Sequence, residues 1–150
     1  MLSFARAIVA FETKHLHPTL EQILRETADG LWQLHTGQEY VIVTDIYRTH
    51  EETIRIYSEA GLKPPVVSVH ELGRGVDLSV RMATPGRTYQ EWPFLPAKLI
   101  REYVSAVNRR WRYQESEEHQ VALYHNVAGV HVHLQCRPGG ETVRREVVVS

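Results

Sequence analysis

Ser68-Val69-His70-Glu71-Leu72-Gly73-Arg74-Gly75-Val76-Asp77 decides how the rest of the chain is read. It sets a neutral nitrogen donor, His70, and an anionic oxygen donor, Asp77, seven residues apart across two glycines. Gly73 and Gly75 remove side chains where the chain must bend back, and glycine tolerates positive φ. From Gly75 the pattern alternates. Val76, Leu78 and Val80 fall on one face and Asp77 and Ser79 on the other, which reads as a strand over 75–81. Asp77 then projects from the start of that strand toward His70. A third donor arrives late, in His131-Val132-His133. Ligands of type His, Asp and His, with a fourth position left for water, are what a hydrolytic zinc ion requires.

Upstream, residues 40–46 are rich in β-branched side chains and read as a buried strand. Thr49 and Glu52 stand three apart as a capping box. The helix they open runs to Ala60 and stops at Gly61, and Pro64-Pro65 forbids further helix before the motif. The first 35 residues read as helical, with Leu20, Ile23 and Leu24, then Leu31, Trp32 and Leu34, at helix-like spacing. Pro18 suits a first turn and Gly30 divides the region into two helices. His15-Leu16-His17 is a second His-x-His, but it precedes a helix start with no acidic partner and reads as surface.

Downstream, 82–90 reads as a loop and 96–111 as a long amphipathic helix with Leu99, Ile100, Tyr103 and Val104 inward. Residues 121–125 and 130–136 read as two strands of a hairpin joined across 126–129. The segment 137–150 opens on Pro138-Gly139-Gly140 and is either a loose tail or adds an edge strand at 147–149. The sum is one domain of the α+β class, a small, mainly antiparallel sheet flanked by helices. Its core spans about residues 40–136.

His131 and His133 are two apart on a strand, so both face the same way, while Val130, Val132 and Leu134 face an apolar side. Gln135 continues the polar stripe. Such a stripe is either an ordinary solvated sheet face or a set of ligands, and the presence of Ser68 to Asp77 favours ligands.

The 17 basic and 18 acidic residues nearly cancel, so no broad footprint for nucleic acid is present. Arg109-Arg110 with Arg112, and Arg144-Arg145, read as solvated clusters. Cys136 is the only cysteine. It cannot form an internal disulfide and reads as a core side chain, with a catalytic thiol the weaker alternative. Met1 to Ala10 is mildly apolar but broken by Arg6 and followed by Glu12 and Lys14. It is too short and too charged for a secretory signal or a membrane span. A cytoplasmic location is the expectation, and a phage enzyme released by lysis has the same signature.

Ser68-x-His70-x-x-Gly73-x-Gly75-x-Asp77 followed by His131-x-His133 resembles the zinc peptidase family of D-Ala-D-Ala carboxypeptidases and peptidoglycan endopeptidases. That family includes the vancomycin-resistance dipeptidases and several phage endolysins, and the Hedgehog signalling domain has a similar zinc core. The similarity covers about residues 40–135, and Asp45-Ile46-Tyr47-Arg48-Thr49 also resembles the family's strand end with an arginine before a helix. The resemblance implies a Hedgehog/DD-peptidase-like fold, a Zn2+ cofactor on His70, Asp77 and His133, and a peptidoglycan stem peptide as substrate. It implies that His131 is an auxiliary histidine stabilising the transition state. Arg48 holds a substrate carboxylate or the oxyanion, and Ser68 lines the substrate cleft; Gln135, on the histidine stripe, is a further candidate for substrate binding.

Two positions depart from the pattern. Gly75 stands where alanine is usual, both being small. The acidic general base expected three or four residues before the His-x-His pair or its second member is replaced by Val127 and Val130. Two assignments of His125 remain open, the substitute base or a surface histidine at a strand end. Glu71, Glu91 and Asp45 rank below it. The reaction implied is amide hydrolysis, with His125 or His131 moving the proton to the leaving amine. The alternatives are a zinc-stabilised binding or structural module without catalysis, and a partner-binding domain without metal.

Overall fold

The computed structural model describes residues 2–4, 12–114, 120–126, 129–137 and 141–145. The β-branched runs and the alternating stretches pair into a five-stranded sheet. β1 (Leu2–Phe4), β2 (Val41–Asp45), β3 (Gly75–Ser79), β5 (Ala122–Asn126) and β6 (Val130–Gln135) stand in the order β1-β2-β3-β6-β5. The β1–β2 pair is parallel and the other pairs are antiparallel. A two-stranded ribbon pairs β4 (Trp111–Tyr113) with β7 (Thr142–Arg144). The protein is therefore α+β, with a mainly antiparallel sheet.

Helices cover one face of that sheet. α1 (Pro18–Ile23) continues through a π-helical stretch, Leu24–Asp29, into α2 (Gly30–Thr36). Proline fits the first turn of α1, and the His17 ring caps it by accepting from the Thr19 N–H at 3.3 Å. α3 (His50–Glu59) opens on the capping box, in which Thr49 Oγ1 accepts from the Glu52 N–H and the Glu52 carboxylate accepts from the Thr49 N–H. α4 (Ala97–Arg110) carries the longest amphipathic run.

The apolar residues of the strands meet these helices in one core. Val41, Val43, Val76, Leu78, Val132 and Leu134 are fully buried with Leu20, Ile23, Trp32, Ile100, Tyr103 and Val107. Each such aliphatic side chain contributes about 1.5–3 kcal/mol. Trp32 meets Tyr103 edge-on, with ring centroids 5.1 Å apart. Asn108 docks α4 on the start of β5. Its Oδ1 accepts from the Ala122 N–H and its Nδ2 donates to the Ala122 carbonyl, both at 2.9 Å.

Several sequence expectations shift. Residues 2–4 form a strand where helix was read, while residues 5–11 lie outside the described set. Gly30 divides nothing, because its φ of −62° is helical and the chain runs through it. Leu34 is 73% exposed, and the inward stripe of α4 is Ile100, Tyr103, Ala106 and Val107. Trp111 leaves the helix to begin β4. Part of the segment after 137 is ordered as β7, whose Arg144 pairs with Glu26. Residues 138–140 and the proposed edge strand at 147–149 lie outside the described residues. Cys136 is core, as expected, and burial pushes its thiol up.

Candidate metal centre

Ser68 to Asp77 folds as a short 3-10 turn, Val69–Leu72, followed by a reversal into β3. Ser68 caps the turn, its Oγ accepting from the His70 N–H at 3.3 Å. Gly73 adopts φ +67°, and its carbonyl accepts from the His17 N–H at 2.8 Å. A Cβ at that position would lie 1.7 Å from the His15 carbonyl oxygen, so only glycine fits. At Gly75 a Cβ would stand 2.8 Å from Val69 Cγ2 and 3.1 Å from His133 Cε1. Even alanine must push Val69 aside and press on His133, so the small departure at Gly75 has a local cause.

β3 and β6 pair with Asp77 opposite His133 and Ser79 opposite His131, and opposed residues share a face. His70, Asp77 and His133 are all buried, and their donor atoms lie within 4.8 Å of one another. Asp77 Oδ1 is 3.1 Å from His70 Nε2 and 2.9 Å from His133 Nδ1. Donors around a tetrahedral ion with bonds of about 2.0 Å stand about 3.3 Å apart, so the spacing suits a small cation.

The outer nitrogens decide which atoms of the two rings face Asp77. His70 Nδ1 is 2.7 Å from the Ile46 carbonyl, to which it donates. Gln135 Nε2 donates to the Gln120 carbonyl at 2.9 Å, which turns the amide oxygen toward His133 Nε2 at 3.1 Å. Each ring thus spends its N–H on an oxygen behind it, and its lone pair faces Asp77 in the neutral form. Two lone pairs and a carboxylate oxygen repel unless a proton or a metal ion lies among them. The group can hold a metal ion.

Around this trio, His131 Nε2 lies 3.4 Å from Asp77 Oδ1, while its Nδ1 is 3.0 Å from the Gly129 carbonyl. His131 stands outside the mutual set of donors. Arg48 Nη2 contacts Asp45 Oδ2 at 3.1 Å and Asp77 Oδ2 at 3.5 Å. With its side chain 8% exposed, it acts on the second carboxylate oxygen of Asp77 from inside the protein. His125 pairs with His131 across the hairpin, 5.3 Å between ring centroids, and stands 5.8 Å from the His133 ring. Its buried Nδ1 has no hydrogen-bond partner among the described residues.

The other sequence candidates separate from the site or serve it indirectly. Glu71 is turned to His50, 3.0 Å away, and Glu91 caps Thr88. Ser68 and Gln135 hold His70 and His133 through the bonds above. Val127 lies outside the described residues.

Comparison of the chain with models of protein families, with curated proteins and with solved structures gives no match. Among the described residues, no helix is long and apolar enough to cross a membrane.

Charge at the trio is strongly coupled. Burial opposes ionisation of Asp77, but the His70 charge and the hydrogen bonds from His133 and His70 hold its carboxyl well below the usual range. Burial also opposes charge on His70, and the neighbouring Asp77 carboxylate outweighs it, raising His70 above its ordinary 6.5. Burial keeps His133 below 6.5 despite the same carboxylate. Of the two imidazoles, His70 is therefore the one that keeps a proton to higher pH.

The ion-pair stability from His70 is complete below about pH 6.5 and is lost as pH rises through its raised value. That from Asp77 is present above about 3.8 and is lost as pH falls through its depressed value. A metal ion must displace the His70 proton. Binding in mildly acid solution is expected to release a proton from His70, measured by calorimetry in buffers of different ionisation enthalpy. A count near zero means that His70 is neutral beforehand.

Two contributors escaped the sequence reading. The Ile46 carbonyl is backbone and leaves no residue-type signal. Tyr89, in a loop, donates its hydroxyl to Ser79 Oγ at 2.7 Å. Ser79 itself was legible, sharing the face of Asp77 by alternation.

Proposed function

We propose that the protein is a zinc-dependent peptidase acting on amide bonds of peptidoglycan stem peptides, with a Hedgehog/DD-peptidase-like fold. The observation that carries the reading is the pair of imidazoles whose outer nitrogens are tied to Ile46 and Gln135 and whose inner nitrogens converge on Asp77. Three protein ligands leave a fourth position, the arrangement of catalytic rather than structural zinc. Zinc at this position would supply Lewis acidity toward a carbonyl oxygen and toward water.

The protein's own groups do the rest. Arg48 orients Asp77 through its second carboxylate oxygen and adds positive charge beside the reacting carbonyl. His125 is held below its ordinary value by burial and by His131 and His133. A neutral imidazole with an unpartnered nitrogen suits a proton acceptor that later returns the proton to the leaving amine. His131 places a second ring nitrogen, Nε2, beside the same carboxylate.

The test is digestion of purified peptidoglycan with the termini read by mass spectrometry. New termini that need added zinc support the peptidase, while intact peptidoglycan with one equivalent of bound zinc removes it. His125→Ala is expected to keep zinc and lose about 100-fold or more in turnover, the scale of general base catalysis. Unchanged turnover takes the base role away from His125.

A second reading is a zinc-stabilised module without catalysis. It is favoured by Val130 at an expected base position and by the engagement of the nearby carboxylates Glu71 and Asp45 with His50 and Arg48. Zinc-dependent stability with no cleavage is its signature.

A further inference from the structure

The polar face of the sheet continues past the metal centre. Ser79, two residues beyond Asp77, is buried and accepts from both the Tyr89 hydroxyl and the Arg81 N–H. Ile42 precedes Val43, which lies opposite Leu78 on the core side. Ile42 therefore points to the face that carries Asp77 and Ser79. It lines a groove of about 400 Å³, within the range of small-ligand sites at about 300–1,000 Å³.

The groove has a definite chemistry. Tyr40 and Trp92 supply aromatic surface, and Gln38, Glu39 and Thr84 supply an amide, a carboxylate and a hydroxyl. Arg81 in its lining is held by two carbonyls and lies beside two rings. Its Nη1 donates to the Gln90 and Trp92 carbonyls, both at 3.1 Å, and its guanidinium carbon lies 4.5 Å from the Phe94 ring centre and 5.3 Å from that of Tyr89. Aromatic faces flanked by amide and hydroxyl groups suit a ring whose C–H faces are apolar and whose edges carry hydroxyls.

The wall is also held in place. Met82 N–H donates to the Pro93 carbonyl and Leu95 N–H to the Val80 carbonyl, both at 2.8 Å, closing the loop onto the end of β3. Trp92 Nε1 donates to the Arg87 carbonyl at 3.1 Å, which fixes the indole.

We propose that this groove binds a pyranose ring belonging to a glycan whose attached peptide reaches the metal centre. The second half of that statement rests on the peptidase reading, whereas sugar binding itself needs no metal. The substrate is then a peptide still joined to its glycan strand, rather than a free dipeptide.

The probe is the β-1,4-linked trimer of N-acetylglucosamine, titrated into the full chain with and without zinc and followed by amide NMR shifts. Saturable shifts centred on Gln38 to Ile42, Thr84 and Trp92 are expected in both forms. Trp92→Ala is expected to weaken binding about tenfold, the loss of one aromatic stacking partner. Tyr40→Ala provides a second variant that leaves the indole and its loop intact, and it is expected to weaken binding as well. No saturation up to about 10 mM, shifts centred elsewhere, or indifference to both substitutions overturns the proposal. Sugar binding without peptidoglycan cleavage upholds the groove and sinks the peptidase reading, so the two fail separately.

Discussion

Asp77→Ala is expected to abolish tight metal binding. Structural zinc binding supplies about 10–16 kcal/mol over four positions. One ligand is then worth about 3 kcal/mol, more than a hundredfold in affinity. Asp77 does more than one ligand's work here, because His70 Nε2 and His133 Nδ1 are both oriented against the same oxygen atom. In its absence Arg48 loses one of its two carboxylates and the imidazoles lose the charge that holds them together. Competition with a chelator of known affinity measures the change. An affinity within about tenfold of the wild type would remove Asp77 from the ligand set.

Gly73→Ala is expected to destabilise the protein by about 3–4 kcal/mol or to prevent folding. A left-handed backbone costs a non-glycine residue about 1–2 kcal/mol. Here the added methyl would also overlap the His15 carbonyl, which belongs to the backbone and cannot rotate away. Relieving that overlap breaks the bond from the His17 N–H to the Gly73 carbonyl, worth about 1 kcal/mol. Because ordinary domains hold only about 5–15 kcal/mol in reserve, the loss is a large fraction of the total. A urea midpoint reports it directly, and a change under about 1 kcal/mol would mean that the turn has slack that the structure does not show.

Much of this arrangement was legible from residue order. The capping box at Thr49, the stop at Gly61, the alternation after Gly75 and the facing of His131 with His133 are local patterns, and the backbone follows them. His125 was readable as a neighbour of His131 because hairpin register places opposite residues side by side. What escaped is non-local. A three-residue strand such as Leu2–Phe4 carries too few residues to show a period, and β4 and β7 define each other only by pairing. Arg48 was readable as an inward arginine, but its engagement with Asp45 and Asp77 depends on a register shift between Val43 and Asp45. The need for glycine at position 75 depends on where Val69 Cγ2 lies, which no spacing rule reports.

The register of β3 against β6 has a further consequence. Slipping that pairing by one residue turns every side chain of a strand to the other face. His131 and His133 would enter the core, and Val132 would face the carboxylate. No metal ion could then find three donors. An ion bound at His70, Asp77 and His133 therefore acts as a checksum on the folded chain. It is captured only when two segments more than fifty residues apart have aligned to the residue, and its capture certifies that alignment.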